Sequence, residues 1–188
     1  DNNGVAGNIT NNTIDDREES SFTGIQASLA GNLNISDSTI INSSGSTGID
    51  IPSVGANQLN ITNSKNISVN SGTGISVDAD NSQSDVRIRA NTIEGAANSG
   101  VGIAVDDTGG VSGNLNTIDI LGGNVNRTAT GIQFTDDIGD FVNITDTELT
   151  NLTSGTTKGI DLATASFTGS GTDKVNIDNV RITGDTST

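Results

Sequence analysis

The chain contains no cysteine, histidine, tyrosine, tryptophan or methionine, and only one proline, Pro52. Without cysteine it can hold neither a disulfide scaffold nor a thiolate metal site, and the redox compartment cannot be read from thiols. Without histidine it lacks the commonest general base and all His-ligated zinc chemistry. Four residues are aromatic, Phe22, Phe134, Phe141 and Phe167, so stacking platforms for sugars or bases are scarce. Basic residues are also few: Arg17, Lys65, Arg87, Arg89, Arg127, Lys158, Lys174 and Arg181 face 23 acidic ones, for a net charge of −15. A chain with a pI near 4.1 is repelled by phosphate backbones and anionic membranes, which argues against nucleic acid as a partner. No apolar run approaches the length of a membrane span, so no membrane insertion of this segment is expected. Asp1 opens without a signal peptide or an initiator Met, and residues 1–188 are read as a single domain, a mature or excised fragment of a larger surface protein.

Hydrophobic residues make up 31% of the 188 positions, a composition that with this charge often means disorder. Their placement argues otherwise. They are mostly Ile, Val and Leu at regular positions, among 24 glycines and many Ser, Thr, Asn and Asp residues suited to turns. One element, Gly-Ile-x-apolar, begins at Gly24, Gly48, Gly74, Gly102, Gly131 and Gly159, with successive spacings of 24, 26, 28, 29 and 28 residues. A second element is apolar-x-Ile followed, five positions on, by another aliphatic residue. It reads Leu33-Asn34-Ile35 then Ile40, and Val86-Arg87-Ile88 then Ile93. Further copies are Ile118-Asp119-Ile120 then Val125, Val142-Asn143-Ile144 then Leu149, and Val175-Asn176-Ile177 then Ile182. Leu59-Asn60-Ile61 then Ile67 carries one extra residue, and Ile9 followed by Ile14 is a partial first copy with Gly7 at the first apolar position.

Each repeat thus holds three short segments of period 2, and no segment has a helical period. Three strands per repeat at this spacing describe one coil of a triangular solenoid. The expectation is an all-β, right-handed parallel β-helix of about seven coils. Ile25, Ile49, Ile75, Ile103, Ile132 and Ile160 should stack as one aliphatic ladder. Ile35, Ile61, Ile88, Ile120, Ile144 and Ile177 should form a second. The glycine before each Ile is placed at a bend, where a positive φ or a close backbone approach excludes a Cβ. The outward partners Asn34, Asn60, Arg87, Asp119, Asn143 and Asn176 form either a hydrogen-bonded amide ladder or a simple solvated face.

These coils, ladders and Ser/Thr/Asn/Gly-rich turns resemble the right-handed parallel β-helix superfamily over nearly the whole chain. That group includes pectate lyases, polygalacturonases, phage tailspikes and the passenger regions of autotransporter adhesins. The resemblance is specific for fold, and one scaffold hosts both polysaccharide enzymes and inert stalks. The polygalacturonase pattern would imply aspartates beside a histidine and an Arg-x-Lys clamp, and this chain has neither histidine nor clamp. The pectate lyase pattern would imply a calcium-binding acidic cluster with an arginine or lysine base, which leaves Arg87 and Arg89 as candidate binding residues.

Asp78 with Asp80, Asp106 with Asp107, and Asp136 with Asp137 follow the Gly-Ile segment of three successive repeats. Brought to one corner, they would make a candidate Ca²⁺ site, since Ca²⁺ takes six to eight such oxygens. The competing reading is a solvated acidic corner. Nine Asn-x-Ser/Thr sequons occur, but a chain this rich in these residues generates them by composition, and several lie within expected strands. The composition, the uniform repeats and the missing catalytic residue types point to a structural, adhesive segment at the cell surface. Its partner would be a host surface protein or a glycan, met by outward side chains and by turns such as Asp16–Phe22 and Asp78–Asp85. The alternatives are a polysaccharide-acting domain and a self-associating filament element. No cofactor is required beyond the candidate Ca²⁺.

Overall fold

A computed structural model describes residues 7–16, 22–29, 31–42, 47–55, 57–79, 85–96, 100–107, 117–138, 141–152, 157–166 and 174–184. Asp80, Arg17, Phe167 and much of the two variable turns at 16–22 and 78–85 lie outside the described residues.

The period-2 segments form the strands. The first coil holds β1 (Gly7–Thr10), β2 (Thr13–Asp16) and β3 (Thr23–Ser28). The next two hold β4 (Leu33–Ser36), β5 (Thr39–Asn42) and β6 (Thr47–Ser53), then β7 (Gln58–Thr62), β8 (Asn66–Val69) and β9 (Thr73–Asp78). There follow β10 (Asp85–Arg89), β11 (Thr92–Gly95) and β12 (Val101–Asp107), then β13 (Thr117–Leu121), β14 (Asn124–Asn126) and β15 (Thr130–Asp137). The last are β16 (Phe141–Thr145), β17 (Glu148–Leu152), β18 (Lys158–Ser166), β19 (Lys174–Asp178) and β20 (Arg181–Gly184). Every third strand pairs in parallel. This gives a first sheet of seven strands from β1 to β19, a second of seven from β2 to β20, and a third of six from β3 to β18. The chain is a three-sheeted parallel β-helix, and its topology is compatible with the right-handed crossover rule.

Both expected ladders form. Ile25, Ile49, Ile75, Ile103, Ile132 and Ile160 lie in register across the third sheet. Ile9, Ile35, Ile61, Ile88, Ile120, Ile144 and Ile177 do so across the first, and Gly7 pairs with Leu33 as the partial first copy implies. Between these, Ile14, Ile40, Ile67, Ile93, Val125, Leu149 and Ile182 line the second sheet. Most of the described ladder residues are sealed from solvent, and each buried Ile contributes roughly 1.5–3 kcal/mol. β-branched side chains suit both the extended backbone and the stack.

Of the two reasons for glycine at the bend, close approach is the one that operates. A Cβ on Gly24, Gly48, Gly74, Gly102 or Gly131 would lie 2.5–2.6 Å from the carbonyl oxygen of the next coil's glycine. None of these residues has a positive φ. The left-handed backbone sits instead at the turn from the first sheet to the second, at Asn11, Asp37, Asn63, Ala90, Gly122, Asp146 and Asn179, with φ between 50° and 64°. Asn, Asp and Gly tolerate that region, and alanine does so at a cost. The residue after this corner points inward and is sealed at Ser38, Ser64, Asn91 and Thr147. At Ser38, Asn91 and Thr147 the side chain bonds to backbone, whereas the buried Ser64 Oγ has no partner; Asn91 Nδ2 donates to the Ile61 carbonyl at 2.8 Å, and Asn91 Oδ1 accepts from the Ser64 N–H at 2.9 Å.

Candidate functional site

On β10 the buried Val86 and Ile88 alternate with Asp85, Arg87 and Arg89, which therefore face outward. Arg87 lies between Asn60 and Asp119 on the neighbouring strands, as its position in the repeat implies. Its Nη2 donates to Asp85 Oδ2 at 2.7 Å, and Arg89 Nη2 donates to Asp119 Oδ2 at 2.6 Å. The Arg89 Nε is buried and has no hydrogen-bond partner. Both arginine side chains are about 40% exposed, and ion pairs in such positions are worth about 0–1 kcal/mol. The outward asparagines Asn34, Asn60, Asn143 and Asn176 occupy the same face.

The acidic corner divides. Asp78 and Asp106 are in register on adjacent strands and face outward. Asp107 points inward and is 6% exposed. Its register partner is Asp136, while Asp106 stands opposite Thr135. Asp136 has a positive φ of 61° and turns out to solvent. Burial holds the Asp106 carboxyl above its ordinary value of 3.8, against hydrogen bonds from Thr135 and Asp107, and the charges on Asp136 and Asp78 add to the rise. One Asp106 oxygen is buried without a partner. The Asp137 side chain, like Asp80, lies outside the described residues. Among the described residues no three acidic side chains converge as a metal-ligand set.

A cleft of about 240 Å³ opens where β8 and β11 leave the second sheet, edged by Ser68, Asn70, Glu94 and Arg127 over Gly95 and Ala96. Sequence reasoning did not single it out. Arg127 lies in the left-handed region, with φ 58°, and its Nη1 stands 3.6 Å from Glu94 Oε1. The other Glu94 oxygen accepts from Asn126 Nδ2 at 2.6 Å. Asn126 Oδ1 accepts in turn from Asn151 Nδ2 at 2.8 Å and from Thr150 Oγ at 3.2 Å. A polar chain thus runs along the axis over three coils. The signal for it was the in-register series Glu94, Asn126 and Thr150, hidden among many similar polar residues. One carboxylate, one guanidinium and several amides can bind hydroxyl groups. The two carboxyls that glycoside cleavage normally requires are not among the residues edging this cleft.

At the third-sheet end, Lys158 Nζ donates to Asp161 Oδ2 at 2.6 Å and the Ala163 N–H donates to Oδ1 at 3.1 Å. The Lys158 hydrogen bond, followed by that of Ala163, holds the Asp161 carboxyl below 3.8. No family model, curated protein or solved structure matches this chain.

Proposed function

We propose that this chain is a structural, adhesive β-helical segment of a secreted or surface-anchored bacterial protein, of the kind found in autotransporter passengers. It meets a glycan or a host surface protein through its outward polar faces. The observation that supports this most is the cleft at Glu94 and Arg127, which offers hydrogen-bonding groups without a second carboxylate. Acidic, cysteine-free composition fits passage across an outer membrane unfolded, since no disulfide can form on the way. Extracellular residence follows from the same reading. The test is a screen of the purified chain against glycans and extracellular-matrix proteins, repeated with Glu94→Gln and Arg127→Ala. Binding weakened by both variants supports the reading. A screen without a hit, or hits indifferent to both variants, removes the cleft from it.

A polysaccharide-acting domain is the second reading. The pairing of Arg87 and Arg89 with Asp85 and Asp119 on one outward face favours it. Incubation with polygalacturonate and alginate in Ca²⁺ buffer, followed by absorbance of unsaturated products and by reducing ends, tests it. Turnover that disappears in Arg87→Ala or Arg89→Ala would replace the adhesive reading with this one.

A further inference from the structure

On the outward face of the second sheet, Ser68, Glu94, Asn126 and Thr150 lie in register on β8, β11, β14 and β17, one per coil at about 4.8 Å. The cleft of about 240 Å³ opens along this row at Ser68 and Glu94, and its floor, Gly95 and Ala96, carries almost no side chain. A Cβ on Gly95 would strike the Arg127 carbonyl and the Thr128 side chain. Glycine there lets the following coil draw in over the end of β11, and the left-handed backbone of Arg127 sets its guanidinium beside Glu94. The polar groups so assembled are not spent on one another. Arg87, Arg89 and Lys158 each hold a carboxylate at 2.6–2.7 Å, but Arg127 Nη1 stops 3.6 Å from Glu94 Oε1, beyond hydrogen-bond reach. Arg127 has no closer polar partner among the described residues. Asn126 takes the other Glu94 oxygen, which fixes the carboxylate and leaves Oε1 open. The Ser68 hydroxyl is likewise uncommitted among the described residues.

We propose that this cleft takes one neutral sugar unit, a pyranose ring that presents adjacent hydroxyl groups. The inference rests on the adhesive reading and narrows its ligand. A carboxylate only accepts hydrogen bonds and a guanidinium only donates them, whereas a hydroxyl does both. Two neighbouring hydroxyls can therefore donate to Glu94 Oε1 and accept from Arg127, filling the interval across which the two side chains fail to bond directly. Ser68 adds a third group of either sense. Charge selects among ligands. Glu94 and Arg127 are the only charged residues edging the cleft, so the site is neutral within a chain of net charge −15. An acidic sugar meets Glu94 and that negative field, and a cation meets Arg127. No aromatic side chain is among the residues that edge the cleft, so a flat aromatic ligand has nothing to stack on. The volume is below the roughly 300–1,000 Å³ of sites for larger ligands, which suits a single ring held weakly.

Titration of the full chain with methyl pyranosides of neutral hexoses, their uronate counterparts and single-deoxy analogues, followed by amide NMR and calorimetry, tests this. A neutral pyranoside should saturate one site and shift the amides of Glu94, Gly95 and Arg127. Its uronate should bind about tenfold more weakly at low salt, and the gap should narrow as salt screens the charge. Removing one of the two bonded hydroxyls should cost about tenfold. Ser68→Ala and Arg127→Lys, both on the outer surface, should weaken binding several-fold while leaving circular dichroism and melting unchanged. Uronates that bind as tightly as the neutral pyranosides overturn the proposal and leave the adhesive reading standing. So does a hit that depends on the cleft but is a protein. The absence of amide shifts with every neutral pyranoside overturns it as well. If the hits of the glycan and matrix screen are then also indifferent to Glu94→Gln and Arg127→Ala, the adhesive reading loses the cleft with it.

Discussion

Ile144 and Ile177 are consecutive members of one ladder, in the same sequence setting of Val-Asn-Ile, yet one is fully sealed and the other 47% exposed. The difference lies in what stacks above them. In a solenoid a residue's own strand only aims it inward, and the coils on either side bury it. Central coils are covered twice and the last described coil once. The same substitution should therefore cost far more in the central coils than in the last described one.

The sharpest way to break this comparison is to put a charge into each ladder. Ile103→Asp places an unpaired carboxylate between two coils and should unfold the chain, while Ile177→Asp should move the urea midpoint little. Ile103→Val should cost only about 0.5–1.5 kcal/mol. Equal effects of aspartate at the two sites would mean that burial by neighbouring coils is not what holds the ladder.

Glycines extend the test. Gly102→Ala drives a Cβ against the Gly131 carbonyl and the Val125 side chain, and overpacking of this sort costs about 1–3 kcal/mol or more. At Gly122 a Cβ meets nothing within 4 Å but inherits a φ of +64°, a cost of about 1–2 kcal/mol. Thermal melts of the two variants should rank them in that order, with close approach outweighing conformational preference.

Asp106 refines the picture at an outward position. Its folded pKa is raised, so its ionised form is disfavoured by the fold. The associated stability is present below the unfolded value and is lost as pH rises through the folded pKa. Asp106→Asn should raise the melting temperature at neutral pH, and that gain should vanish once the medium is acid enough to protonate the wild-type carboxyl. The smallest expected effect is at Ala90, the alanine of the left-handed corner, with φ 52°. Ala90→Asn should stabilise by up to about 1 kcal/mol in a urea titration.

The ladders were legible because Ile, Val and Leu recur with a parity that only a three-strand coil satisfies. The left-handed corner was not, since Asn11, Asp37, Asn63, Asp146 and Asn179 are common residue types in this chain and carry no apolar period. The divided acidic corner was partly legible: with Ile103 and Val105 inward, alternation alone turns Asp107 in and Asp106 out. The same count would have turned Asp136 inward, behind Ile132 and Phe134, but its positive φ reverses the direction. The cleft at Arg127 depends on another left-handed residue and on register across two strands, neither of which the repeat encodes.

The hydrogen bonds between coils lie along the solenoid axis, and the chain advances by one coil every 24–33 residues. A pull on the two ends along that axis therefore loads one coil boundary at a time, and each failure frees a single loop. Each release would lengthen the molecule by roughly 80–120 Å, the contour of that many extended residues. Force–extension traces should be a regular staircase, starting at the singly covered coil of β19 and β20. A single all-or-none rupture would mean that the coils share load across the whole stack. A solenoid built this way yields in small instalments, releasing length coil by coil while the remaining coils stay folded.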